Sequence, residues 1–369
     1  MPGAVYSPFA DRLHEHAGEV FPLHVGDTWL EPVVGARMED LRADEHAGMH
    51  RYADTRGLPE LVDAVARKAQ ERNGIACPRE SVLITAGATA GLSCALGAVL
   101  EAGDEVLILA PFWPLIRGIV QSWGATPVEV PFFDRVDSPE AAVAAVAERA
   151  GPRTVALYVS TPSNPSGRVI DGATLAALAE WAEREDVWLV ADEVYEDFVY
   201  AGEHVSLAPL APERTITAFS FSKAYGMAGN RVGYLLGPAK WIHEAQKLGT
   251  HSFYNAPTAG QHAALRALDL GGAWQADARA AYAEVGARAA AKLGLPAPAG
   301  STFLFVDVRE RLDGRGVPGL LEDCFERGVL IAPGGSSGAE YAEWVRLCFT
   351  VLRPERTLEA VDRIRDLLG

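Results

Sequence analysis

Cysteine is scarce in this chain: 4 among 369 residues, at Cys77, Cys94, Cys324 and Cys348, with no C-x-x-C pair. That spacing indicates neither a disulfide scaffold nor a zinc cluster. Cys94 and Cys348 lie in apolar surroundings, where a reduced, buried thiol is the expected state. Long apolar runs are also missing, and none reaches the length needed to cross a bilayer. Residues 1–11 hold no basic stretch followed by an apolar one, so no signal peptide is read there. Positive charge is in deficit, with 33 Lys and Arg against 49 Asp and Glu and a formal net charge of -16. Such a field repels a phosphate backbone, which argues against a general nucleic-acid binder but leaves room for a local cationic pocket. The expectation is a soluble, cytoplasmic protein with no nucleic-acid or membrane partner.

What is present is a large core. Hydrophobic residues make up 49% of the chain, and the length suggests two domains. Strand-like runs alternate with helical spacing through the first two thirds. Ser81-Val-Leu-Ile-Thr85 reads as a strand, and Ala86-Gly-Ala-Thr-Ala-Gly91 turns from it into the apolar helix 92–100. A strand, a small-residue turn and a helix N-terminus make an anion site, with Gly87 allowing close approach and Thr89 adding a hydroxyl. The turn is neither G-x-G-x-x-G nor a Walker loop, so a plain strand–helix junction stays open. Residues 105–110, 154–159 and 187–191 are further strands, ending near Trp113, at the Asn164 turn and at Asp192-Glu-Val-Tyr195 respectively. Trp113 could stack on a planar ring. Asn164 sits in a Pro-rich turn whose chain direction is largely fixed. An acid closing a nearly all-apolar strand calls for a partner. Asp192 and Tyr195 are the candidates, and Glu193 may equally be structural.

The next apolar run ends at Ser220-Phe-Ser-Lys223, and Arg231 leads into the one after it. Lys223 therefore stands where open α/β sheets bind ligands, beyond a strand's carboxyl end. Lysine is the amine that captures carbonyl cofactors. A solvated surface loop is the plain alternative. Near the start, Gly26 could let backbone approach a ligand or simply turn the chain, and Trp29 is either a pocket wall or a packing residue. A helical region is read over 259–293 and crosses out of the first domain. The tail changes character: a strand at 303–307, a helix at 318–327, a strand at 329–332, a flexible loop at 333–338 and a strand at 343–350 carrying Arg346. Facing a cleft, Arg346 would grip a carboxylate bidentately; on an open sheet face it would do nothing special.

Because βαβ connections keep strands parallel, several of these polar strand ends should share one rim. They make a phosphate cradle, a stacking ring, an acid, a phenol and an amine. That set suits a phosphorylated aromatic aldehyde with a ring nitrogen, as in pyridoxal 5'-phosphate. Here the chain resembles the class I/II aminotransferases of the fold-type I pyridoxal-phosphate superfamily. The matching stretches are Tyr52-Ala-Asp-Thr-Arg-Gly-Leu-Pro-Glu-Leu61, Thr85-Ala-Gly-Ala-Thr89, Ser163-Asn-Pro-Ser-Gly167, Asp192-Glu-Val-Tyr195 and Ser220-Phe-Ser-Lys-Ala-Tyr-Gly-Met-Ala-Gly-Asn-Arg-Val-Gly-Tyr234.

The resemblance implies an α/β fold: a three-layer α/β/α large domain with a mostly parallel sheet, plus a smaller α+β domain. It divides the chain into an N-terminal segment (1–35), a large domain (36–264) and a small one (265–369). It implies amino transfer from an L-α-amino acid to a 2-oxo acid by a ping-pong mechanism, in a homodimer with shared sites. In that reading Lys223 holds the cofactor, Asp192 pairs with its ring nitrogen, and Tyr195 and Asn164 bond its phenolic oxygen. Ala88, Thr89, Ser220 and Arg231 form the phosphate cup, Gly87 allows close approach, and Tyr52 reaches the partner's phosphate. Trp113 covers the ring, while Arg346, with Asn164 and the Gly26 backbone, binds the substrate carboxylate. Two departures stand out: Thr28-Trp29 follows Gly26-Asp27 where many relatives have proline, and Asn230 precedes Arg231 where many have Trp. No second arginine is identifiable for a dicarboxylate side chain. A β-lyase or related synthase on the same cofactor is the alternative chemistry, and a non-catalytic ligand sensor the alternative class.

Overall fold

The computed structural model describes residues 7–9, 12, 16 and 18–369. The reading of residues 1–11 therefore lies largely outside the described residues, as does the first part of segment 1–35.

Seven strands form one sheet: β1 (Val82–Thr85), β2 (Glu105–Ala110), β3 (Thr126–Pro131), β4 (Thr154–Ser160), β5 (Trp188–Asp192), β6 (Thr215–Ser220) and β7 (Gly233–Leu236). Their spatial order is β1-β7-β6-β5-β4-β2-β3. Pairing is parallel from β3 through β6, and only β7 runs antiparallel to its neighbours β1 and β6. The strands are buried on both faces, so they read as unbroken apolar runs.

Helices cover each face. On one side α2 (Gly87–Val99), α3 (Leu115–Ser122) and α7 (Ala239–Ser252) pack on Val106, Ile108, Tyr158, Val190 and Ala218. On the other, α4 (Pro139–Arg149) and α5 (Gly172–Arg184) pack on Leu107, Leu157 and Leu189. There too α1 (Pro59–Asn73) and α8 (Thr258–Leu270) pack on Ile84, Phe219 and Tyr234. This is the expected three-layer arrangement. Local sequence explains the helix ends. Pro59 opens α1 and Gly74, at φ 67°, closes it in the left-handed region. Asp171 caps α5 by accepting the Ala173 and Thr174 N–H groups at 3.0 Å each.

Strand alternation decides where the chemistry sits. Tyr158 in β4 and Val190 in β5 face the α2 side, so Ser160 and Asp192, two residues on, face it too. Ala218 puts Ser220 on the same side.

A second, three-stranded antiparallel sheet has β10 (Trp344–Cys348) between β8 (Phe303–Asp307) and β9 (Ala332–Pro333). With α9 (Gly272–Lys292), α10 (Gly316–Glu326) and α11 (Pro354–Leu368) it encloses its own core. Phe21 joins it through an isolated bridge to Val329. Three expectations shift. The helix after Thr85 begins at Gly87, so the small-residue turn is already helical. The helical region expected over 259–293 is two helices, α8 and α9, that meet at Gly271. The strand expected at 329–332 shrinks to Ala332–Pro333, because Val329 pairs with the N-terminal segment instead. Among the described residues, no helix is long and apolar enough to cross a membrane.

Candidate active site

A cavity of about 690 Å³ opens at the carboxyl edge of the large sheet and is walled by residues of both sheets. Eleven residues singled out from the sequence meet there: Gly26, Ala88, Thr89, Trp113, Asn164, Asp192, Tyr195, Ser220, Lys223, Arg231 and Arg346.

The acid comes from the last residue of β5. Asp192 is 4% exposed, and its Oδ2 accepts the Tyr158 hydroxyl at 2.5 Å. Burial pushes its pKa up to about 6, against the pull of Tyr158 and the Val194 N–H. The neighbouring acid Glu193 raises it as well. Among the described residues its hydrogen-bond partners are the Tyr158 hydroxyl and the Val194 N–H, and none is a cation; a buried carboxylate so placed is costly and favours a positively charged neighbour. Glu193, by contrast, is satisfied within the fold by His204 at 3.0 Å and the Leu207 N–H at 2.9 Å.

The amine follows β6. Ser220 ends the strand and caps the short helix α6 (Phe221–Ala224), which carries Lys223 into the cavity. The Lys223 Nζ donates to the Gly26 carbonyl. Burial lowers its pKa; Asp27 opposes this, and the positive charges of Arg231 and Arg346 reinforce it.

The anion side is the start of α2. Ala86 provides no side-chain cap and the first turn holds no acid, so free N–H groups and the helix dipole face the cavity at Ala88 and Thr89. Gly87, at φ +79°, backs this turn: a Cβ there would lie 2.2 Å from Arg231 Nη2. Arg231 has a left-handed backbone, φ 52°, and its Nη1 donates to the Ala228 carbonyl at 2.7 Å. The cradle is thus two strand ends packed backbone to guanidinium, and a side chain at Gly87 would displace the Arg231 guanidinium.

The opposite wall is cationic. Arg346 in β10 is 3% exposed. Its Nη1 donates to Asn164 Oδ1 at 3.1 Å, its Nη2 to the His24 carbonyl at 2.8 Å, and its guanidinium lies 4.5 Å from the Phe303 ring centroid. Tyr195 stands edge-on to Phe303 at 6.1 Å, and burial raises its phenol pKa.

Two residues singled out from the sequence lie elsewhere. Trp29 packs edge-on against Tyr282 at 5.2 Å in the small core, so of its two readings the packing one describes its contacts. Tyr52 is 85% exposed and rests 4.8 Å from Tyr254, outside this cavity. Three wall or supporting residues were not singled out. Tyr158 is the lone phenol in an apolar strand, at the parity of Asp192. Phe303 opens a strand register-paired with the end of Arg346's own. His24 sits two residues before Gly26, and burial, aided by Arg346, lowers its pKa to about 4, so it is neutral. Among the described residues, no group of three or more His, Cys, Asp or Glu could hold a metal ion.

A lysine amine, a buried acid, an uncapped helix start and a buried arginine thus face one cavity. Comparison with known proteins narrows the class. Residues 19–364 match the model of the family "Aminotransferase class I and II". The aspartate/prephenate aminotransferase of Thermus thermophilus is 34% identical over 335 residues, covering 87% of this chain and 84% of that protein. An arginine–pyruvate transaminase of Pseudomonas aeruginosa is 34% identical over 375 residues, covering 96% and 92%. The solved structure of Thermus thermophilus aspartate aminotransferase with maleate superposes with a TM-score of 0.90 at 30% identity, covering 100% of this chain and 97% of that one. The chain belongs to the class I and II aminotransferase family. Its activity is that of an aminotransferase, and the members of this family depend on pyridoxal phosphate.

Proposed function

We propose that this chain binds pyridoxal 5'-phosphate in the 690 Å³ cavity and moves the amino group of an L-α-amino acid to a 2-oxo acid in two half-reactions. The carrying observation is Asp192, buried at a strand end with no cation bonded to it among the described residues, across one cavity from the half-buried Lys223. The bound cofactor supplies an aldehyde that takes up the amino group and a protonated ring that withdraws electrons from the substrate Cα.

The chain's residues supply the rest. Asp192 keeps a proton on the ring nitrogen. Lys223 would hold the cofactor by its Nζ, and the free Nζ would be the base that moves the substrate Cα proton, a role its lowered pKa favours. The α2 N-terminus with Ala88, Thr89, Ser220 and Arg231 holds the phosphate. Tyr195 and Asn164 bond the ring oxygen, and Trp113 covers the ring. Arg346 would bind the α-carboxylate, with Asn164 and the Gly26 backbone assisting. The products of the two half-reactions would be a 2-oxo acid from the donor and an amino acid from the acceptor.

Tyr52 is exposed in the single chain, which fits a homodimer in which it reaches the partner's phosphate. A division into segment 1–35, a large domain 36–264 and a small domain 265–369 fits the two sheets, each with its own core.

The test is a panel of L-amino acids given to the loaded protein without an acceptor. Amino transfer yields one equivalent of 2-oxo acid per site and stops until a 2-oxo acid is added. Continuous release of ammonia and pyruvate from a β-substituted donor would instead identify a lyase.

A further inference from the structure

Among the described residues, four charged side chains line the active-site cavity: Asp192, Lys223, Arg231 and Arg346. The proposed function uses all four, and the inference below rests on that reading. Asp192 serves the ring nitrogen, Lys223 the carbonyl, Arg231 the phosphate and Arg346 the α-carboxylate. The rest of the wall holds no Asp, Glu, Lys or Arg. Its one histidine, His24, is neutral at pH 7, because burial and the Arg346 charge lower its pKa to about 4. The arginines near the site in sequence are engaged elsewhere. Arg37 Nε donates to the Pro32 carbonyl at 2.8 Å, Arg56 Nη1 to the Glu80 and Val82 carbonyls at 3.1 and 3.0 Å, and Arg117 pairs with Glu129 at 2.5 Å.

The backbone at residues 24–26 shows where a substrate side chain lies. The His24 carbonyl accepts from Arg346, and the Gly26 carbonyl accepts from Lys223. A substrate with its carboxylate on Arg346 and its Cα toward Lys223 therefore spans the stretch that carries Val25. Val25 lines the cavity and is 41% exposed, a large apolar side chain left in water. Phe303 lies beside it: the Arg346 guanidinium is 4.5 Å from its ring centroid, and a Cβ on Gly26 would meet Phe303 Cζ at 2.6 Å. Pro8 is a further apolar group in the same wall. Exposed apolar surface in a cavity gains from an apolar ligand, whereas a charged group placed there loses water and finds no counter-ion.

We propose that the amino donor is a monocarboxylic amino acid with an uncharged, apolar side chain, seated against Val25, Phe303 and Pro8. A second carboxylate meets no further cation in the wall and approaches against the net charge of -16. A cationic side chain meets no free acid, since Asp192 serves the ring.

The test uses ligands of matched shape. Leucine and aspartate have side chains with the same heavy-atom branching, and 4-methylpentanoate and succinate are their amine-free counterparts. Calorimetric titration of the cofactor-loaded protein with the two carboxylates reads binding without turnover. Single-turnover donor half-reactions read kcat/KM. The expected result is 4-methylpentanoate binding about tenfold or more tighter than succinate, and kcat/KM for leucine about a hundredfold or more above that for aspartate. Val25→Arg should narrow both ratios by about tenfold, and because Val25 is exposed the variant does not depend on repacking a core. Succinate binding as tightly as 4-methylpentanoate, binding of neither, or aspartate or arginine used as well as leucine overturns the inference while leaving amino transfer in place. Release of no 2-oxo acid from any L-amino acid overturns the proposed function itself, and this inference with it.

Discussion

Asp192 and Glu196 stand four residues apart in one turn, both withdrawn from water, and their pKa values move in opposite directions. For Glu196, burial pushes up, but the Lys68 ammonium, His204 and the Asn73 amide outweigh it and the value ends below that of a free glutamate. For Asp192, burial wins and the pKa reaches about 6, since a phenol and one N–H are weak compensation. The difference separates architecture from chemistry. A carboxylate neutralised by its own fold holds the structure together. One left without a cation at a cavity wall is arranged for a ligand's positive charge.

The comparison can be broken most sharply at Lys223, the other half of the candidate site. Lys223→Ala should abolish covalent attachment of the cofactor and lower turnover by about a thousandfold or more, with the melting temperature of the cofactor-free protein little changed. Normal turnover in that variant ends the reading.

Asp192→Asn comes next. In the loaded enzyme it should cost about a hundredfold in kcat, because the ring proton loses its counter-charge. In the cofactor-free protein the sign reverses. Between about pH 4 and 6 folded Asp192 keeps a proton that the unfolded chain has released, so wild-type stability falls as pH rises through that window. Asn carries no such penalty. The variant should therefore be more stable than wild type at pH 7, by up to about 3 kcal/mol, and the gap should close toward pH 4. Denaturant melts at the two pH values check this. A variant less stable at both would place Asp192 with Glu196 as an architectural acid.

Arg346→Lys keeps the charge but loses the fork shared by Asn164 and the His24 carbonyl. KM for the amino donor should rise about tenfold to a hundredfold, with a smaller change in kcat. The smallest effect on chemistry belongs to Lys68→Met. It should cost about 3–5 kcal/mol of stability by stranding Glu196, while kcat per folded site stays within about twofold. Its pH signature is the inverse of that at Asp192. The Glu196 contribution is present above the unfolded glutamate range and is lost as pH falls through the lowered folded value.

Much of the site was legible because strand ends punctuate the sequence. Lys223, Asp192 and the turn at Gly87 each follow an apolar run, and a parallel sheet brings such ends to one rim. Arg346 was legible as a charge inside a strand, although only the packing of the small sheet against the large one turns it toward the cavity. Tyr158 was hidden because a phenol in an apolar strand reads as core. Its link to Asp192 depends on β4–β5 register, which periodicity does not set. Trp29 shows the converse: an aromatic beside a glycine has the composition of a pocket wall, yet it packs on Tyr282, a partner 253 positions away. The break between α8 and α9 was invisible for a similar reason. Gly271-Gly272 together cost a helix about 2 kcal/mol relative to alanine, a signal that the helical spacing on either side overrode in the reading.

The most direct measurement is reduction of the cofactor-loaded protein with borohydride, followed by peptide mass mapping. The account predicts a single pyridoxyl-phosphate adduct on Lys223. An adduct on another lysine, or none, would contradict it.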